Sequence, residues 1–138
     1  MRHEDEVRAI IDNPPQETIE ALMVPGGGTA VIDFWAPWCG PCRSMAPAFK
    51  AVAERFADAP VTFYKIDTEA RPEFGRAFNV RSLPSIVFIH DGTVQDVLIG
   101  AQSAGTLSAK VDWLLSKARG EGLLTRLLGL HRTKGKSE

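Results

Sequence analysis

The spacing of apolar residues changes period several times along the chain. Residues 29–36, TAVIDFWA, form a nearly continuous β-branched and aromatic run entered from Gly26, Gly27 and Gly28. Such a run predicts a strand buried on both faces. From Cys39 to about Phe56 the period lengthens, with Met45, Phe49, Val52 and Phe56 at helical spacing and Pro41 near the start, where its missing N–H costs little. Pro47 inside this helix is expected to kink it. VTFYKID at 61–67 reads as a second buried strand and RPEFGRAF at 71–78 as a short helix. Asp91 and Gly92 then supply the turn of a hairpin whose strands lie near 85–90 and 94–99. Over 104–118, Leu107, Val111, Leu114 and Leu115 share one helical face. The order β, α, β, α, β, β, α joins a right-handed βαβ unit to a ββα unit. It predicts an α/β domain, a central mixed sheet of four or five strands with helices on both faces.

The ends are less regular. Residues 1–15 contain EDEVRAIID, which reads as a short helix, or VRAII, which reads as an edge strand; Pro14 and Pro15 end either, and the strand is preferred. The domain is expected over 16–118, with 119–138 a basic amphipathic tail. Its Leu123, Leu124, Leu127, Leu128 and Leu130 lie on one side of a short amphipathic turn. From Lys117 onward six Lys or Arg oppose two Glu, a net +4, whereas in residues 1–20 two Arg oppose six acids, a net −4. The leucine face is expected to fold back on the domain or to make an oligomer contact. Docking on another partner ranks next, and a membrane last because the apolar stretch is short.

Composition narrows the class. With 138 residues and 44% apolar content, one core is expected and hardly two. A net charge of −1 with 24% charged residues offers no basicity to attract nucleic acid and no charge excess to favour disorder. No apolar run approaches the roughly 20 residues that span a bilayer, and the opening MRHEDEVRAI is acidic where a signal peptide would be basic. A soluble, cytoplasmic protein is the expectation.

The chemistry centres on Cys39 and Cys42, the only cysteines. As a staple the pair would restrain little of the unfolded chain, because the loop between them is so short. Structural zinc needs four ligands, and the available His3, His90 and His131 contain no pair at ligand spacing. A redox couple needs only two thiols that can bond, one accessible and one behind it, and this reading survives. The three glycines before the first strand lack the sequence of a phosphate-binding loop and read as a plain turn. Asp33, among apolar neighbours in its strand, is expected to have a raised pKa unless the strand is an edge facing water. Trp35 continues the strand and reads as packing, whereas Trp38 precedes Cys39 and reads as exposed surface beside it.

Four pieces, DFWAPWCGPC at 33–42, Pro47 in the following helix, RSLPS at 81–85 and IGA at 99–101, together make the chain closely resemble the thioredoxin family over about residues 16–117. The resemblance implies the thioredoxin fold and a protein-disulfide reductase. Cys39, at a helix N-terminus that favours the thiolate, would be the nucleophile and Cys42 the resolving thiol. Gly40 and Pro41 set the backbone between them and mark a reductant. Asp33 would exchange a proton with Cys42. Pro84 would follow a cis peptide bond facing the cysteines, leaving the backbone of Leu83 free to pair with an extended client segment, with room left by Gly100 and contact from Trp38. Disulfide-containing clients and a thioredoxin reductase as electron donor are the implied partners, with no cofactor and no metal. A disulfide oxidase or isomerase, or a non-catalytic interaction module of the same fold, are the alternatives. One departure is expected: Phe63 stands where the family often has a lysine near this acid, with Lys65 displaced by two.

Overall fold

The computed structural model describes residues 9–128, with the side chains of 121–126 left out. Its elements are β1 (Ile10–Asp12), α1 (Gln16–Leu22), β2 (Thr29–Trp35), α2 (Gly40–Arg55), β3 (Thr62–Asp67), α3 (Pro72–Ala77), β4 (Ser85–His90), β5 (Thr93–Ile99) and α4 (Ala104–Leu128). The five strands form one mixed sheet in the order β1-β3-β2-β4-β5. β1 and β2 run parallel to β3, β4 runs antiparallel to β2, and β5 antiparallel to β4. β2 is therefore central, which explains its almost unbroken apolar run: both faces are covered.

The period-2 alternation of the strands divides the core in two. Val31, Phe63, Ile86 and Phe88 face Met45, Phe49 and Val52 of α2 and Leu107, Val111 and Leu114 of α4. Ala30, Ile32, Phe34, Tyr64, Ile66, Val87 and Ile89 face Ile19 and Leu22 of α1 and Phe74 of α3. Phe34, Phe49, Phe63 and Phe88 are each at most 1% exposed. Burial of each contributes about 1.5–3 kcal/mol, so this packing fixes the level at which α2 meets the sheet.

The hairpin turn carries Asp91 at φ +54° and Gly92 at φ +81°, both in the left-handed region that a two-residue turn requires. The glycine loop before β2 packs on this turn: Gly26 N–H donates to Asp91 Oδ1 at 2.6 Å, and Asp91 N–H donates to Gly28 O at 2.9 Å. The loop thus has a structural task.

Three features differ from the pattern-based reading. α1 follows Pro14 and Pro15 where no helix was expected, and the length of α4 and the exposure of its end are the other two. α4 crosses residue 118 without a break and continues to Leu128, so the expected boundary at 118/119 falls inside a helix. Leu127 is 72% exposed and Leu128 61%, so these two do not fold back on the domain. At the other end, the preferred strand is present as β1, while residues 1–8 and Leu130 lie outside the described residues.

Candidate active site

β2 ends at Trp35 and hands the chain directly to the cysteines. Cys39 N–H donates to Ala36 O at 3.1 Å, closing a tight turn, and Cys39 then becomes the N-cap of α2. Its Sγ accepts from Cys42 N–H at 3.2 Å, taking one of the donors that a helix start leaves unpaired. Gly40 and Pro41 are the exposed first residues of the helix, where proline costs no backbone bond. Arg43 Nη1 donates to Pro37 O at 2.9 Å and braces the turn from outside.

Cys39 and Cys42 are joined by a disulfide with Cα atoms 5.3 Å apart. Both are closed in, at 3% and 2% exposure, against Ala36, Trp35 and Leu83. The expectation of one accessible sulfur and one shielded sulfur is therefore corrected for the oxidised form, because Trp35 and Leu83 pack against the pair. What distinguishes the cysteines is position along the helix. Cys39 caps it, where the dipole and free N–H groups act most strongly on a thiolate, and Cys42 lies within the first turn.

Asp33 stands two residues before Trp35 on the same face of β2 and is fully buried. Among the described residues, neither carboxyl oxygen has a hydrogen-bond partner. Burial pushes its pKa from 3.8 up to about 7, and the ammonium of Lys65 partly opposes the rise. Asp33 lies directly opposite Lys65 of β3, whereas Phe63 lies opposite Val31. This corrects the expectation that Phe63 faces the acid. The parallel register is set by how the α2 crossover packs, which spacing within one strand does not reveal. Lys65 Nζ sits 4.6 Å from the centre of the Trp35 ring, so Trp35 joins the acid's neighbourhood to the cysteine pair.

Trp38 is 65% exposed, and its indole N–H donates to Glu69 Oε2 at 2.6 Å. It forms one wall of a groove of about 370 Å³ whose other walls include Pro72, Arg76, Arg81 and Leu83. The peptide bond between Leu83 and Pro84 is cis. Pro84 is buried, and its carbonyl accepts from Gly100 N–H at 2.8 Å. Gly100 has φ +94° and nothing within 4 Å of where a Cβ would stand, so the space beside it is open. Cys39, Cys42, Trp35 and Leu83 are in contact; Trp38 shares a groove with Leu83, Pro84 follows Leu83 and bonds Gly100, and Asp33 is, among the described residues, connected to the pair only through Lys65 and Trp35. Sequence reasoning missed Glu69, Arg76 and Arg81, which come from segments remote in the chain.

His90 Nδ1 and Thr29 Oγ1 are 3.0 Å apart at the end of the sheet away from the cysteines. His3 and His131 lie outside the described residues. Among the described residues, no three His, Cys, Asp or Glu side chains are grouped to hold a metal ion, and no helix is long and apolar enough to cross a membrane.

The family model for thioredoxin matches residues 16–113. The chain belongs to the thioredoxin family. It is 35% identical over 108 residues to the M-type chloroplastic thioredoxin of Pisum sativum, an alignment covering 78% of this chain and 60% of that one. It is 37% identical over 97 residues to thioredoxin 1 of Synechococcus elongatus, covering 70% of this chain and 85% of the relative. The crystal structure of thioredoxin from Trypanosoma brucei brucei superposes with a TM-score of 0.70 at 25% identity, over 84% of this chain and 99% of that one. The chain spans 52–60% of the length of the chloroplastic M-type relatives it matches. In this thioredoxin-family domain the matched segment holds β2, the cysteine pair, Leu83, Pro84 and Gly100, so the site described above lies wholly within the family's part of the chain.

Proposed function

We propose that the chain is a protein-disulfide reductase working in a reducing compartment, taken to be the cytoplasm, with a thioredoxin reductase as electron donor. The observation that carries the reading is the Cys39–Cys42 disulfide at the N-terminus of α2, the oxidised half of a dithiol cycle.

In the reduced form, the Cys39 thiolate attacks one sulfur of a client disulfide. A mixed disulfide forms, and the other client sulfur leaves as a thiolate. Cys42, deprotonated with Asp33 as acceptor, then attacks Cys39 Sγ. The second client sulfur leaves, takes up a proton, and the Cys39–Cys42 disulfide is restored. Two electrons have passed to the client, and the donor returns them to the pair. An acid with a pKa of about 7 holds or releases a proton near neutral pH, which suits it to this step. Among the described residues, the Leu83 backbone N–H and C=O make no hydrogen bond of their own. They are available to an extended client segment passing between Trp38 and the open space at Gly100.

The test is trapping. Cys42→Ser should attack but not resolve, so mixed disulfides with client proteins accumulate, whereas Cys39→Ser should neither trap clients nor reduce insulin. Reduction of insulin at the parental rate by Cys39→Ser would exclude this mechanism.

A further inference from the structure

Among the described residues two apolar surfaces are left uncovered, on opposite faces of the sheet, and their surroundings carry opposite charge. The first is a groove of about 670 Å³ on the α1 and α3 side, whose apolar lining includes Ile19, Met23, Phe74, Phe78 and Val94. Glu20 and Glu73 also line it, and Glu17 stands in the first turn of α1, which has no basic residue in its last turn. Arg71, just before α3, is already committed: its guanidinium donates to Pro14 O at 2.7 Å and Asn13 O at 2.9 Å, and Arg76 lines the separate groove beside Trp38. The groove is apolar inside and acidic along its sides.

The second surface is the far end of α4. The domain's core takes the face of this helix that bears Leu107, Val111, Leu114 and Leu115. At roughly 100° per residue, Leu127 falls about 160° from Val111, on the opposite side of the helix. Its 72% exposure agrees, and Leu128 beside it is 61% exposed. Leu127 is thus not a continuation of the core stripe, whereas Leu128, about 40° from Leu114, continues the stripe where the core no longer covers it. Both lie in the last part of α4, where from Lys117 to Leu128 three Lys or Arg oppose one Glu, a net +2.

We infer that the occupant of the groove is the α4 end of a second copy of this chain. The apolar leucines match the apolar lining, and a helix end of net +2 matches Glu20, Glu73 and Glu17. The helix of the same copy does not serve, because α4 is packed on the α2 side of the sheet and continues unbroken to Leu128. Exchange between two copies about a twofold axis makes the contact twice, which is how a modest helix-in-groove contact reaches the area of a stable interface. The cysteine site is on neither surface, so the dimer leaves both sites open.

The experiment is sedimentation of the full-length oxidised protein across concentration and salt. A species of twice the 15.1 kDa chain mass is expected, dissociating more readily as salt rises. Leu127→Glu, at an exposed position, and the double variant Glu20→Lys with Glu73→Lys should each sediment as monomers while still reducing insulin at the parental rate. A parental chain that is monomeric throughout would overturn the inference, including one that binds anionic phosphatidylglycerol vesicles through Leu127. So would a dimer that survives either the groove variant or Leu127→Glu.

Discussion

Replacing Asp33 by Asn removes one ionisation from the core with almost no change in volume, and its consequence for stability has a definite sign. The folded protein holds the Asp33 proton with a pKa of about 7, against 3.8 for the ordinary carboxyl. Between these values the native state binds more protons than the unfolded chain, so stability falls as pH rises from about 4 and levels off above 7. Linkage puts the penalty at roughly 2 kcal/mol at pH 5 and about 4 kcal/mol at pH 8. Asp33→Asn removes this dependence, while the fixed cost of a buried amide is the same at every pH. The stability advantage of the variant should therefore widen by about 2–3 kcal/mol between pH 5 and pH 8. Urea unfolding of the oxidised proteins reads this directly, because disulfide-bonded cysteines do not titrate. The catalytic counterpart is slower resolution of mixed disulfides, least pronounced in alkaline solution, where Cys42 deprotonates unaided. Stability curves that run parallel from pH 5 to 8 would refute both the buried-acid argument and the proton-acceptor role built on it.

Lys65→Met removes the charge that opposes the rise at Asp33, so the pH at which parental stability levels off should move upward; an unmoved break would show that the register pair carries no electrostatic coupling. Trp38→Phe loses the indole bond to Glu69 and should raise KM for a protein client several-fold while leaving reduction of a small disulfide nearly unchanged, which steady-state kinetics with both substrates would check. Gly92→Ala places a Cβ 2.6 Å from the Val24 carbonyl carbon at φ +81°, and should cost about 1–3 kcal/mol in urea unfolding without altering the exchange rate of the folded protein, since the turn lies at the end of the sheet remote from the cysteines.

Where a local signal was strong, sequence and structure coincide. The β2 run is buried because its strand is central, and the hairpin turn follows from Asp91 and Gly92. The helix beginning at the cysteines is marked by Met45, Phe49, Val52 and Phe56. What escaped was set by contacts between distant segments. α1 has only two buried positions, Ile19 and Leu22, in seven residues, too few to register as a period. The pairing of Asp33 with Lys65 depends on how the crossover helix packs, and the Trp38–Glu69 bond spans a sequence separation of 31. The α4 end escaped for another reason. Leu127 stands on the side opposite the core stripe, and an amphipathic reading of the tail taken in isolation does not compare the two faces.

The central claim is that Cys39 and Cys42 form a reducing dithiol couple, and its most direct test is the reduction potential of that pair in equilibrium with glutathione or with a reference thioredoxin. The proposed reductase role predicts a value near the roughly −270 mV of thioredoxin. A potential near about −120 mV, that of a strong disulfide donor, would contradict the account and make the protein an oxidant of its clients.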